Sequence, residues 1–250
     1  MDDTAIIERK RQALNEFTAR LFASDVRDAI AKVILFGSVQ KGDIRPDSDV
    51  DVLVVATRAP DRVTDVCLDA ALEVNMALSE SVEPLVYCVD RLRFPGSYFV
   101  YHALKTGEEV YAMDEKRLRR EESQGYLELA EEYVQSARHS LEHGDYRLAT
   151  DGAYNAAELC AKGFLVLELE DVPSSHGGIV GKFGELYVRT GILPRELGRG
   201  LNQGLWLRNQ ARYERHARIG LEEAREMLDL ADRFIVALTE ALKIAQDNEV

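Results

Sequence analysis

The sequence predicts an α+β/α two-domain chain: a mixed-sheet half over residues 1–115, then an all-α up-and-down helical bundle over residues 116–250. Two observations carry this. In the first half, short Val-rich apolar runs alternate with stretches of helical spacing, the pattern of strands and helices that share one sheet. In the second half helical periodicity continues throughout, and glycine or proline marks the joins.

Residues 5–30 place Ile6, Leu14, Phe17, Leu21 and Phe22 on or near one stripe and predict a helix. Val33-Ile34-Leu35-Phe36 is a strand-sized apolar run that stops at Gly37, and residues 37–48 are polar and turn-rich. Val50, Val52, Val54 and Val55 mark a second strand, with Asp49 and Asp51 at alternate positions. Residues 61–80 return to helical spacing through Val63, Val66, Cys67, Ala70, Val74 and Leu78. Leu85–Val89 predicts a third strand; a short helix over about 97–106 and a small strand near Val110-Tyr111 close the half. Lys116–Gln124 is densely charged and predicts the join. Helices follow over about 121–142, 145–169, 176–190, 195–214 and 220–246, broken at Gly144, Pro173-Ser174-Ser175, Gly191 with Pro194, and Gly220. Asp145 and Ser174 or Ser175 are the expected N-caps.

Composition removes several classes of function. The chain is 46% hydrophobic and 30% charged, enough to bury a core and carry a hydrated surface. Its net charge of −13, shared by both halves, opposes a general nucleic-acid coat, which needs clustered positive charge. No apolar run approaches bilayer length, and Met1–Lys10, opening on Asp2 and Asp3, lacks the apolar core of a signal peptide. Cys67, Cys88 and Cys160 are odd in number, far apart and without a CxxC, so neither a disulfide framework nor a zinc site is expected. The expectation is a reduced, cytoplasmic protein with no membrane partner.

The chemistry gathers in Leu35-Phe36-Gly37-Ser38 and Asp47-Ser48-Asp49-Val50-Asp51-Val52. Alternation along a strand puts Asp49 and Asp51 on one face. Two adjacent carboxylates repel unless something neutralises them, and hard cations such as Mg²⁺ prefer carboxylate oxygen. Glycine lets an anion approach the backbone, and the serine hydroxyl with nearby N–H groups can hold phosphate oxygens. Carboxylates, a metal and a triphosphate together are the apparatus of nucleotidyl transfer.

Gly37, Ser38, ten intervening residues, then Asp49-Val50-Asp51 resembles the signature of the polymerase-β-type nucleotidyltransferase superfamily. The fuller run, with Gly42-Asp43 between, looks most like its minimal prokaryotic members. The resemblance implies a mixed-sheet nucleotidyltransferase fold. It implies Mg²⁺ or Mn²⁺ on Asp49 and Asp51, a nucleoside triphosphate (ATP by expectation) at Gly37 and Ser38, and a third carboxylate on a neighbouring strand that assists as base or metal ligand. Glu83, in Ser-Val-Glu-Pro-Leu-Val, stands at that place, where many members have Asp; Glu80 is its neighbouring competitor. Asp47 reads as a turn residue. Lys41 and Arg45 are open between triphosphate neutralisation and simple solvation.

In the helical half, Tyr154–Leu165, Pro173–His176, Phe183, Tyr187 and Leu207-Arg208-Asn209-Gln210-Ala211-Arg212-Tyr213 resemble, over roughly 120–246, the HEPN superfamily of helical bundles, which often accompany minimal nucleotidyltransferases. The resemblance implies a homodimer through this half. Active HEPN ribonucleases carry an arginine followed after four to six residues by histidine. Here Arg208 is followed five residues on by Tyr213, and His216 lies outside the spacing, so ribonuclease activity is not expected. Arg208, Arg212 and Arg215 share a face if the helix continues, with Arg218 beyond; phosphate or RNA contact and carboxylate pairing both remain open, the second favoured. His176 reads as a cap or turn residue, and Trp206 as core or interface.

Three functions compete. The first moves a nucleoside monophosphate, AMP by expectation, onto a protein acceptor in a toxin–antitoxin setting, with Tyr213 a conceivable target. The second is the same chemistry on a small molecule, as in the aminoglycoside nucleotidyltransferases, which a chain of this length and domain order also resembles. The third is an RNA-binding or RNA-cleaving HEPN module, or a scaffold, under a regulatory nucleotidyltransferase-like domain. The first is the expected one.

Overall fold

A computed structural model describes residues 3–42 and 44–247; Met1, Asp2, Asp43 and residues 248–250 lie outside the described residues. The chain divides into two compact units, Met1–Leu118 and Arg119–Val250.

The first unit is built on four strands, β1 (Ile30–Phe36), β2 (Val50–Ala56), β3 (Val82–Cys88) and β4 (Glu108–Ala112), in the order β3-β2-β1-β4. β1 pairs antiparallel with β2 and β4, while β2 and β3 are parallel. A parallel pair needs a crossover, and α3 (Pro60–Leu78) supplies it, entered through Pro60 at its first helical position, where the missing N–H costs nothing.

Strand alternation divides the apolar residues between two faces. Val33, Leu35, Val50, Val52 and Val54 pack against Phe17 and Leu21 of α1 (Asp3–Ala23) and Val63, Cys67 and Val74 of α3. Ile34, Leu53 and Val55 face the other way, with Ala103 of α5 (Tyr98–Thr106). Between these elements lie two short helices, α2 (Gly37–Lys41) and α4 (Asp90–Arg93). β3 is an edge strand whose second and third residues are the exposed Glu83 and the half-buried Pro84, which has no N–H to offer a further strand.

The second unit is helical. α6 (Glu115–Glu142) starts just before the unit boundary, and α7 (Tyr146–Glu168), α8 (His176–Phe183), a single π-helical turn over Gly184–Val188, α9 (Arg195–Tyr213) and α10 (Leu221–Asp247) follow. α7 is central, packed by α8, α9 and α10. Tyr154, Phe164, Phe183 and Phe234 are fully buried at its centre. At Gly163 a Cβ would meet Leu238 Cδ2 of α10 at 2.7 Å, so a larger residue would have to push that side chain aside. The three cysteines are free. Burial pushes the Cys67 and Cys160 thiols up to about 12, which keeps them protonated and inert.

Several expectations need correction. The turn-rich stretch after Phe36 begins with α2. The first helix stops at Ala23, and only a short 3₁₀ turn over Arg27–Ala29 lies between it and β1. The charged join is itself helical, forming the first turns of α6. Ser175 caps α8 by accepting from Gly178 N–H at 3.1 Å, whereas Asp145 stands at the start of α7 without a side-chain cap bond. Trp206 is no core residue: it is 63% exposed. α9 ends at Tyr213, so Arg215 and Arg218 do not extend an arginine face.

The end of α9 has a specific cause. The Arg147 guanidinium donates to the carbonyl oxygens of Ala211 at 2.8 Å and Glu214 at 2.9 Å, and also to that of Ala217. It satisfies carbonyls that a helix C-terminus leaves without partners. Arg147→Ala is therefore expected to free residues 214–219. Limited proteolysis should cut there several times faster than in the parent chain, and equal rates would show that the loop holds itself.

Candidate functional site

β1 ends at Phe36, and the cross-strand register sets Phe36 opposite Asp51 on β2, and Asp51 opposite Glu83 on β3. Register partners share a face, so Phe36, Asp51 and Glu83 form one row across the sheet. Leu53 and Val55 extend the same face of β2 inward. Asp49 lies just before β2, in the turn-rich segment that leads into the strand, and is half-buried. Asp47 is in a turn, as its sequence suggests.

Gly37 follows Phe36 at φ +76°, a conformation that L side chains rarely adopt. A Cβ there would fall inside the Asp51 carboxylate, so glycine is required twice, by torsion and by contact. The glycine–serine turn therefore touches the carboxylate row. Ser38 follows in the first turn of α2, half-buried.

Electrostatics mark Asp51. Burial, then the negative charges of Glu83 and Asp49, push its pKa above the usual carboxylate value. Among the described residues, none donates a hydrogen bond or ion pair to Asp49, Asp51 or Glu83. Lys41 and Arg45 are exposed and hold none of the three. Among the described residues no three His, Cys, Asp or Glu side chains, Asp49, Asp51 and Glu83 included, are gathered so as to hold a metal ion together. Asp49 and Asp51, all-oxygen donors with uncompensated charge, would suit a Mg²⁺-like cation. Such an ion is commonly bound by one or two carboxylates, with water and substrate phosphate completing its shell.

The competitor, Glu80, is already engaged. It is buried, with Lys10 on one carboxylate oxygen and Arg9 at 2.8 Å on the other. Glu80→Ala would strand the buried Lys10 ammonium and is expected to cost about 3 kcal/mol. The exposed Glu83→Gln should leave stability within ~0.5 kcal/mol of the parent. Urea unfolding of both variants checks this, and equal losses would refute the separation.

In the helical unit, Arg208 is only 4% exposed. Its Nε faces Asp151 Oδ1 of α7 at 3.3 Å, and Arg212 reaches the other oxygen at 3.2 Å. Carboxylate pairing, the favoured alternative for these arginines, is what the structure holds. The Nε and Oδ1 atoms are buried and lack an aligned hydrogen bond, so this contact is charge attraction alone. Tyr213 is 69% exposed, and the Arg208 guanidinium lies over its ring at 5.7 Å.

His176 is not the cap. Its Nδ1 contacts Glu158 Oε2, which also accepts from Tyr154 Oη at 2.8 Å, while Lys162 stands 3.4 Å from Oε1. Burial raises the Glu158 pKa, but the His176 and Tyr154 hydrogen bonds and the Lys162 charge outweigh it and leave the carboxyl below its ordinary value. Tyr154, buried beside that carboxylate, is pushed well up. The roles of Asp151 and Glu158 are not visible in the sequence. Their helical spacing with Tyr154 along one face of α7 is the signal that could have found them.

Comparison with known proteins agrees with this layout. The polymerase-β nucleotidyltransferase family matches residues 21–116, and the HEPN domain family matches residues 123–242. A candidate protein adenylyltransferase of Methanocaldococcus jannaschii is 36% identical over 74 residues, 30% of this chain and 73% of that protein. A candidate toxin of the same organism is 32% identical over 124 residues, 50% of this chain and 91% of that protein. A solved spectinomycin adenyltransferase of Enterococcus faecialis, with ATP and spectinomycin, aligns over 90% of this chain and 98% of that one. Its 12% identity and TM-score of 0.33 make that likeness too loose to carry an argument. The chain thus belongs to the polymerase-β nucleotidyltransferases through its N-terminal unit and to the HEPN domains through its C-terminal unit, a nucleotidyltransferase and a HEPN bundle in one polypeptide.

Proposed function

We propose that the N-terminal unit transfers AMP from ATP to a hydroxyl of a protein acceptor, with a divalent cation at Asp49 and Asp51 and the triphosphate at Gly37 and Ser38. The observation that carries this reading is the row of Asp51 and Glu83 with the Gly37 backbone pressed against the Asp51 carboxylate. It sets a phosphate-accepting turn against unneutralised carboxylates.

The acceptor oxygen attacks the α-phosphorus, the bond from that phosphorus to the bridging oxygen breaks, and pyrophosphate leaves. The proton of the acceptor hydroxyl passes to Glu83, the exposed carboxylate of the row. When bound, the cation offsets charge on the transferring phosphate and on the leaving pyrophosphate. The Gly37 backbone, bare of a Cβ, lets the turn lie against the Asp51 carboxylate, and the Ser38 hydroxyl and nearby N–H groups donate to the phosphate oxygens.

The relatives named for protein adenylylation and as a toxin favour a protein acceptor and a toxin–antitoxin setting over an aminoglycoside. Tyr213, exposed at the end of α9, is the acceptor within this sequence, reached in the same chain or in a second copy of a homodimer formed through the helical unit. Cytoplasmic ATP is the expected donor; no helix among the described residues is long and apolar enough to cross a membrane. The ribonuclease alternative is disfavoured by Arg208, which is buried on Asp151 rather than presented to phosphate.

The test is incubation of the purified chain with each α-³²P-labelled nucleoside triphosphate and Mg²⁺, with mass spectrometry of any labelled protein. Label from ATP on the wild type, absent from Tyr213→Phe, supports both donor and acceptor. Label that persists in Tyr213→Phe moves the acceptor elsewhere. No label from any triphosphate, on this chain or on added cell protein, overturns the reading.

A further inference from the structure

α5 borders the carboxylate row and is tightly held. Ser97 caps its start, accepting from Val100 N–H at 3.2 Å. At its end, the Gln40 side-chain amide donates to the Thr106 carbonyl at 3.1 Å, which ties α5 to the helix that begins at Gly37. Val100 and Ala103 are buried on its inner side. The Phe99 ring stands edge-on to Phe36 with ring centroids 5.5 Å apart, yet Phe99 remains 46% exposed.

Phe36 is both the register partner of Asp51 and the residue before Gly37. A flat apolar surface therefore sits beside the place where the triphosphate and the carboxylates meet, on a helix locked to the phosphate turn. Half-exposed aromatic rings are costly to leave in water and well suited to stack a second π-system. A nucleoside triphosphate seated at Gly37 carries such a system at its other end.

We infer that Phe99, braced by Phe36, is the surface on which the nucleobase of the donor stacks. This deepens the transfer reading above and rests on it. Stacking supplies affinity for any base, because every base has a π-face. Phe99 is thus a determinant of nucleotide affinity rather than of base identity, and it touches neither the α-phosphorus nor the acceptor.

The experiment is calorimetric titration of the full chain, wild type and the variants Phe99→Ala, Phe99→Leu and Phe99→Trp, with ATP and with inorganic tripolyphosphate, both in Mg²⁺. Phe99→Ala and Phe99→Leu are expected to bind ATP about ten-fold more weakly and tripolyphosphate as the wild type does. Phe99→Trp should bind ATP at least as well as the wild type. The leucine variant keeps apolar bulk against Phe36, so its loss reports the ring and not a disturbed helix. Unchanged ATP affinity in the alanine and leucine variants overturns the inference, as does an equal loss for both ligands, which would place the effect on the phosphate turn. A wild type that binds neither ligand overturns the donor-site reading itself.

Discussion

Replacing Asp51 with asparagine is expected to lower AMP transfer by about 10³-fold while the melting temperature stays level or rises. The opposite signs follow from one environment. Asp51 is half-buried, crowded by Glu83 and Asp49, and neutralised by no cation among the described residues. Removing its charge relieves repulsion in the folded protein. The same charge is what would hold a divalent ion against the transferring phosphate. Charge stabilisation of that kind is worth several kcal/mol in a transition state, and about 1.4 kcal/mol corresponds to each ten-fold change in rate. Labelled transfer beside a thermal melt reads both quantities. Retention of more than a tenth of the activity would exclude Asp51 from the chemistry. A large fall in melting temperature would make it a structural residue instead.

Asp151→Ala is expected to destabilise the helical unit by about 3 kcal/mol, the largest effect foreseen for a polar residue there. Arg208 is almost wholly enclosed, and Asp151 is its carboxylate partner. Loss of one member of a buried pair leaves an uncompensated charge, typically at 3–5 kcal/mol. The low end applies because Nε and Oδ1 attract without an aligned hydrogen bond. Arg208→Met should cost less, since it removes the buried charge and leaves Asp151, which is more open, paired with Arg212. Denaturant unfolding of the full chain, followed by helical circular dichroism, measures the difference. Equal losses for the two variants, or a loss below ~1 kcal/mol for Asp151→Ala, would mean that the pair does not hold α7 to α9.

Much of the fold is legible because its signals are local. The apolar run of β1 and the Val-rich run of β2 are buried on both faces and read directly as strands. α7 and α10 announce themselves by period, and the glycine and proline breaks fall between the helices observed. What escapes is short or non-local. α2 is five residues long, too short for a periodic signal. The first turns of α6 read as a linker because Leu118 is the one apolar residue among the charged and polar side chains of residues 115–124. The end of α9 depends on Arg147, which lies 64 residues before the Ala211 carbonyl it binds, and no local pattern records that.

The candidate site divides in the same way. The glycine–serine turn and the Asp-x-Asp spacing are visible as a pattern in one segment. That Glu83, rather than Glu80, stands opposite Asp51 depends on the parallel register set by α3, and on Lys10 and Arg9 of α1 having taken Glu80. The contact between Gly37 and the Asp51 carboxylate depends on how two strand ends meet. A sequence shows only that a glycine is there.

The edge position of β3 has a consequence for anyone who handles the protein in concentrated solution. An open strand edge rich in Val, Leu and Tyr invites another chain to pair with it, and here the invitation is refused by a carboxylate and a ring-closed nitrogen, Glu83 and Pro84, placed side by side. The residue proposed as the third carboxylate is thus also one that keeps neighbouring molecules apart. Substitutions at 83 made to probe chemistry should stay polar, because an apolar replacement would lower soluble yield and imitate a lost activity.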